Sequence, residues 1–394
     1  MVVAGAALVR INPEAKSPEV GLLREGAVVT VTRCEPNCAA KEAWAILGSD
    51  GAIRLSLLRR VPGAINPAPV PAPVAEVLTY GRVGPGGITI YKAANLHSPV
   101  LTRRRGTREI VFRPNPALRA RGWLERVEGG FVLAKWVTTL KPSTLKGEAQ
   151  PHLPLAFVTR ALATAPTPGI SAHRLHRYDR LPLLGLDGPR IATTSGSVPR
   201  RDVRIVKLQA PPPGIPAGAR WVHVDLKEQT LTAYEGENPV FATLISSGKV
   251  NAKGKAETAT LPGLYQVEHK LIYSNMNGQR DDPYAVDRVP HVQYFHKGDA
   301  LHGAYWHDGF GAVASHGCIN LSLADAAWLF AWAPPRLPEA WSSVEASEPG
   351  LQTLWVFVDP KAPMPPVAVN NAAPPPPVGV SQPSRPQRLV ADRQ

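Results

Sequence analysis

Two histidines and a cysteine, His302, His316 and Cys318, are the side chains of this chain best fitted to do chemistry. His302 opens the run His-Gly-Ala-Tyr-Trp-His, and Ser315-His316-Gly317-Cys318-Ile319-Asn320 begins thirteen residues later. A thiol beside an imidazole is the equipment of nucleophilic acyl transfer. Free cysteine has a pKa of about 8.5, so little of it is thiolate at neutral pH, and a neighbouring imidazole is the usual means of raising that fraction. Gly317 allows a tight turn that would bring the N–H groups of Gly317 and Cys318 to a tetrahedral oxyanion, where one donor is typically worth ~10²- to 10³-fold in rate. Zinc is the competing chemistry, since His291, His296, His302, His307, His316 and Cys318 fall within 28 residues. The close pair His316-x-Cys318 is poor tetrahedral spacing, however, and no second cysteine lies nearby, so neither a metal nor a cofactor is expected. An inert core cysteine is disfavoured as well, because Ser-His-Gly places small polar residues where a core would want bulk.

The elements that must hold these residues read as β structure. Residues 220–234 alternate as two strands about a Glu228-Gln229 turn, and 240–246, 263–271, 289–295 and 354–358 continue the pattern. Residues 322–332 read as a short amphipathic helix, whose Trp328, Phe330 and Trp332 are packing faces. The expected fold class is therefore mainly β. The catalytic part is a mixed sheet or sandwich with one short helix, and one small mixed sheet is its simplest form. Tyr294 and Phe295 are placed to line a groove or to fill the core.

His302-Gly303 followed by Ser315-His316-Gly317-Cys318-Ile319-Asn320 resembles the signature of the L,D-transpeptidases of the YkuD family, and Val-Asp-Leu-Lys-Glu-Gln-Thr-Leu-Thr-Ala-Tyr at 224–234 is similar to that family too. The resemblance covers about 140 residues and implies a catalytic domain acting on peptidoglycan stem peptides. It implies that Cys318 attacks the carbonyl of the third stem residue, that a terminal D-alanine leaves, and that an amine acceptor resolves the thioester in a 3→3 cross-link. His302 is then the general base and later acid, oriented by the backbone carbonyl of Gly303. His316 belongs to the site as a structural or donor group, beside Ser315, Gly317, Asn320 and Tyr294 as substrate or oxyanion residues. The family also implies acylation of Cys318 by carbapenems. Its Thr-Pro-x-Gly pattern is altered here to Thr260-Leu261-Pro262-Gly263, which puts the shape of the entry loop in question. Water as acceptor would give a carboxypeptidase, and a lipoprotein amine an attachment enzyme. A wall-binding protein without catalysis is the reading from another class.

Upstream, residues 51–58, 130–137 and 196–203 superimpose in register, each a turn glycine and a short apolar strand. These repeats resemble bacterial SH3-like modules, small β-barrels that bind wall components. The organisation expected is an SH3-like module over 8–61, a Pro-rich linker over 62–79, a second module over 80–142, a third over 155–206, a second Pro-rich linker over 207–219, the catalytic domain over 220–359 and a disordered Pro-rich tail over 360–394.

Charge divides the same way. The chain holds 29 Lys plus Arg against 14 Asp plus Glu up to Val206, a net +15, and 15 against 17 thereafter, a net −2. The basic half points to an anionic partner, and anionic wall polymers serve that electrostatics. Nucleic acid is not expected, since the charges are scattered and show no zinc-finger spacing, RNP-type aromatic run or basic helix. No stretch approaches the ~20 apolar residues of a membrane span, so the chain is not read as an integral membrane protein. Cys34 and Cys38 are spaced for a small disulfide that leaves Cys318 as the odd thiol, which favours an oxidising compartment and a cell-envelope location, although no export signal is evident at the N-terminus.

Overall fold

A computed structural model describes residues 2–3, 6–60, 78–167, 169–186, 188–249, 258–278, 284–346 and 352–359. Most of the expected linker 62–79 and all of the tail 360–394 lie outside the described residues. The chain is mainly β. Among the described residues no helix is long and apolar enough to cross a membrane.

The C-terminal part is built from two sheets rather than one. Arg220–Asp225, Thr230–Glu235 and Asn238–Leu244 form an antiparallel meander. Trp355–Asp359 adds in parallel to Arg220–Asp225, and Gly263–Gln266 closes that edge. Opposite lies a second sheet of His269–Asn277, Ala285–His296 and Asp299–Gly303, with Ile319–Leu321 parallel to the last. The apolar run expected as one strand over 263–271 is thus two strands in different sheets. The chain crosses between them where the Val267 N–H is donated to Leu354 and the Glu268 N–H to Tyr294, backbone bonds that satisfy the turn without any Gly or Pro punctuation.

Burial of the facing apolar rows closes the sandwich. Val222, Val224, Leu231 and Ala233 from one sheet meet Phe295, Leu301, Ile319 and Leu321 from the other, with Ala326, Leu329 and Ala333 of the helix Leu323–Trp332. Ser322 caps that helix by accepting the Asp325 N–H at 3.1 Å. Its C-terminal carbonyls are met by Lys270, which is fully buried and donates to Phe330, Ala333 and Pro335 at 2.8, 2.6 and 2.9 Å. A lysine emerging from the sheet thus satisfies orphan carbonyls and anchors the helix directly behind the strand that carries His302.

The three sequence repeats fold alike. Ala52–Arg54, Phe131–Leu133 and Gly196–Pro199 are each followed by one 3₁₀ turn, Leu55–Leu57, Ala134–Trp136 and Arg200–Asp202, and by a further strand. Gly51, Gly130 and Gly196 have φ of 110°, 81° and 102°, the left-handed region in which a Cβ is strained, and this accounts for the glycine that opens each repeat. Cys34 and Cys38 form a disulfide within the first unit.

Among the described residues these units share strands and core with the C-terminal part. Glu19–Leu23 pairs with Trp341–Glu345, Arg108–Arg113 meets Ala285–His296 at Glu109 and Val286, and Glu148–Ala149 extends the Asn238–Leu244 edge. Tyr80 stacks on Tyr305 with ring centroids 4.4 Å apart. Buried Asp287 is held between Arg108 at 3.2 Å and Arg126 at 2.9 Å. Even the Pro-rich segment 207–219 is tied down, the Gln209 N–H being donated to the Tyr234 hydroxyl at 3.0 Å.

Candidate active site

Parallel pairing of two short strands assembles the site. Asp299–Gly303 and Ile319–Leu321 run side by side with Leu301 opposite Ile319 and His302 opposite Asn320, so Cys318, just before the second strand, comes level with Ala300, two residues along from His302 and, by strand alternation, on the same face. The fifteen intervening residues, 304–318, form the return connection that parallel strands require.

His302 is 2% exposed, and its Nδ1 lies 3.2 Å from the Gly303 carbonyl. A carbonyl only accepts, so Nδ1 carries the proton and Nε2 keeps its lone pair. Burial pulls the imidazole down to about 4, which leaves it neutral at physiological pH and available as a base.

Cys318 is a free, partly buried thiol. Burial pushes it up to about 12, and the neighbouring Asp299 charge works in the same direction, while backbone groups of Ala300 and Cys318 itself oppose them. The resting pair is therefore neutral thiol and neutral imidazole. This differs from the thiolate enrichment that imidazole proximity alone leads one to expect, because desolvation disfavours both ions at once. The thiol must lose its proton as it attacks. Alkylation of Cys318 by iodoacetamide should accordingly climb about tenfold per pH unit from pH 6 to 9, and a plateau across that range would instead mean a preformed ion pair.

The loop before the thiol is tightly tied. Ser315, 4% exposed, donates its hydroxyl to the Cys318 carbonyl and accepts the Gly317 N–H at 3.3 Å. Gly317 has φ of 124°, and a Cβ there would run into the Asp299 carboxylate, so glycine is required on both counts. Thr260 donates to the Gly317 carbonyl at 2.5 Å and accepts the Gly248 N–H at 2.8 Å, strapping the loop to the neighbouring strand. In this state the Gly317 N–H is engaged by Ser315, and an oxyanion would have to take over that long bond.

Asn320, also 2% exposed, has its side-chain amide 3.0 Å from His307 Nε2. His307 Nδ1 accepts the Gly309 N–H at 3.2 Å, so its proton sits on Nε2 and Asn320 must present its oxygen there. Burial holds His307 down at about 4, and Asn320 braces this neutral ring beside the strand of His302. His316 is half-buried with its ring centroid 4.7 Å from that of Tyr284. Tyr294 packs in the same cluster as Cys318 and donates to Ser274 at 3.3 Å. The structure thus gathers His302, Gly303, Ser315, Gly317, Cys318, Asn320 and Tyr294 around one loop. His316, in the same loop, packs its ring on Tyr284. Sequence reasoning missed Asp299, Thr260 and His307. His307 and Thr260 lay in segments already singled out, whereas nothing in the sequence marks Asp299.

Residues 219–346 match the YkuD family model, the L,D-transpeptidase catalytic domain. YciB of Bacillus subtilis (strain 168), which carries an L,D-transpeptidase name, is 31% identical over 117 residues. That alignment covers 28% of this chain and 59% of YciB, so the chain spans less than two thirds of that relative. Among solved structures, the catalytic domain of the E. faecium L,D-transpeptidase is 23% identical, covers 36% of this chain and 98% of its own, and has a TM-score of 0.27. The L,D-transpeptidase of Mycobacterium smegmatis is 19% identical over 57% of this chain and 90% of its own, with a TM-score of 0.28.

Proposed function

We propose that this chain is a cysteine acyltransferase of peptidoglycan, an L,D-transpeptidase that forms a thioester between Cys318 and the third residue of a donor stem peptide and passes it to an amine. The observation that carries the proposal is the neutral His302, its Nδ1 fixed on the Gly303 carbonyl, on a strand paired in parallel with the one that the free thiol of Cys318 directly precedes. The match of residues 219–346 to the L,D-transpeptidase catalytic domain supports the substrate class.

In this mechanism His302 Nε2 takes the thiol proton as sulfur attacks the carbonyl carbon, and gives it to the departing D-alanine amine when the tetrahedral intermediate collapses. The thioester that remains is opened by the acceptor amine, whose proton returns through His302 to sulfur. Ser315 and Thr260 keep the loop in register with the base. The Cys318 N–H and the Gly317 N–H are the donors nearest to the developing oxyanion. Asn320 and His307 brace the His302 strand, Tyr294 lines the groove beside the thiol, and His316 on Tyr284 shapes its edge. The Cys34–Cys38 disulfide supports an extracytoplasmic location, and the basic upstream units bring a charge suited to anionic wall polymers.

Incubation of the full chain with purified tetrapeptide muropeptides, read by mass spectrometry, tests this directly. A 3→3-linked dimer and an acyl-enzyme on Cys318 are expected, and the absence of both would end the proposal. His302→Ala should slow acylation by roughly 10²- to 10⁴-fold with the fold intact. Should His316→Ala be the more damaging change, the two histidines exchange roles.

A further inference from the structure

Asp299 stands beside the nucleophile with no task in the mechanism above. It begins the strand that carries His302, and it is half-buried. One of its carboxylate oxygens occupies the volume that a Cβ on Gly317 would need, so it lies against the backbone immediately before Cys318. Its cross-strand partner is His296, whose ring lies 4.8 Å from that of Tyr265. Among the described residues no hydrogen bond or ion pair engages the Asp299 side chain. Burial is the main reason that the Tyr265 hydroxyl and the Cys318 thiol stay protonated, and the Asp299 charge pushes both in the same direction. Burial lifts Asp299 itself to about 6, which still leaves it ionised at neutral pH.

An uncompensated carboxylate next to a thiol nucleophile opposes the acylation step, since it disfavours the thiolate. Once the thioester has formed that penalty disappears, because the sulfur no longer takes on charge. From then on the carboxylate lies as a negative group against the backbone just before the acylated Cys318, where it attracts cations.

Resting on the acyl-transfer reading, we infer that Asp299 docks the ammonium of the acceptor and so directs the thioester toward aminolysis rather than hydrolysis. The acceptor arrives as R–NH3⁺ and releases one proton through the carboxylate to solvent. Its lone pair then forms the N–C bond while the C–S bond breaks. The second amine proton passes through His302 Nε2 to sulfur, leaving an amide and the regenerated thiol. Water carries no charge for Asp299 to hold, so removal of the carboxylate should cost amide formation and spare hydrolysis.

The test uses the full chain with tetrapeptide muropeptide, reading the ratio of cross-linked dimer to hydrolysed tripeptide and, separately, the rate of acyl-enzyme formation by intact mass. Asp299→Asn should lower the ratio about 10- to 100-fold, the worth of one hydrogen bond to a charged group. Acylation should proceed at the wild-type rate or faster, and Asp299→Glu should keep the ratio within about threefold of wild type. In the unaltered protein, raising salt from 0.05 to 0.5 M should depress the ratio by screening, a measurement independent of any folding defect in the variants. An unchanged ratio in a folded Asp299→Asn, or a salt-independent ratio in the wild type, overturns the inference. A tenfold loss of acylation in Asp299→Asn overturns it too, since the carboxylate would then serve the donor. If the wild-type protein forms no acyl-enzyme at all, it is the acyl-transfer reading that falls.

Discussion

Replacing Cys318 by serine is expected to leave the fold standing and to remove acyl-enzyme formation, with turnover reduced by at least ~10³-fold. The base decides the outcome. In a serine-type triad a buried carboxylate stabilises the imidazolium that forms when the hydroxyl gives up its proton. Here Nδ1 of His302 meets only the neutral carbonyl of Gly303, and burial already holds the ring down at about 4. Such a base is adequate for a thiol whose proton leaves during attack, and too weak for an alcohol. The substitution exchanges one small atom in a half-buried position, so the melting temperature should move by no more than about 2 °C. Intact mass after exposure to muropeptide, or to a carbapenem, should show an adduct on the wild type and none on Cys318→Ser. A serine variant retaining more than about one per cent of the wild-type rate would mean that the imidazolium finds stabilisation beyond this carbonyl, and the proton-transfer scheme would need another partner.

The His302 to Cys318 constellation was legible in the sequence because its information is local. One short strand, one return connection and one further strand fix the geometry, and the residue types announce the chemistry. Asp299 was illegible for the opposite reason. Its place beside Gly317 depends on a left-handed glycine and on the parallel pairing of two strands, neither of which alters the residue pattern around position 299. The crossing at Val267 and Glu268 was hidden as well, since alternation continues through it and a period of two does not say to which sheet a strand belongs. A third loss of information concerns Val289 and Val292, with Val286 before them. The strand over 289–295 was readable, but the partners of its apolar row were not, because such a row looks the same whether a helix or an upstream unit covers it. The structure covers them with Val111, Leu78 and Tyr80.

That last point reverses a natural expectation about truncation. A chain of beads on proline spacers could be cut at about residue 211 with little harm to the catalytic part. In the structure the cut would strip three interfaces at once. Ala242, Leu244, Ala304 and Phe310, none more than 1% exposed, would lose Leu145, Leu155, Phe157 and Val206. Tyr305 and the Val286, Val289 and Val292 row would lose the cover of the second unit, and Trp341 would lose Leu23. Uncovering a large apolar side chain costs about 1.5 to 3 kcal/mol, so half a dozen of them, about 9 to 18 kcal/mol, are comparable with the whole 5 to 15 kcal/mol by which a domain is usually stable. The fragment from residue 212 onward should therefore be insoluble or melt without cooperativity, as judged by gel filtration and by circular dichroism on heating. Removing residues 1–60 alone, which breaks the pairing of Glu19–Leu23 with Trp341–Glu345, the neighbouring bond from the Arg24 N–H to Ala340 and their local core, should leave a folded protein that melts lower. A C-terminal fragment that folds cooperatively and forms the acyl-enzyme at the full-length rate would show that the upstream units add nothing to this core. In that event their basic charge, and retention on purified sacculi that weakens with salt, would be the whole of their contribution.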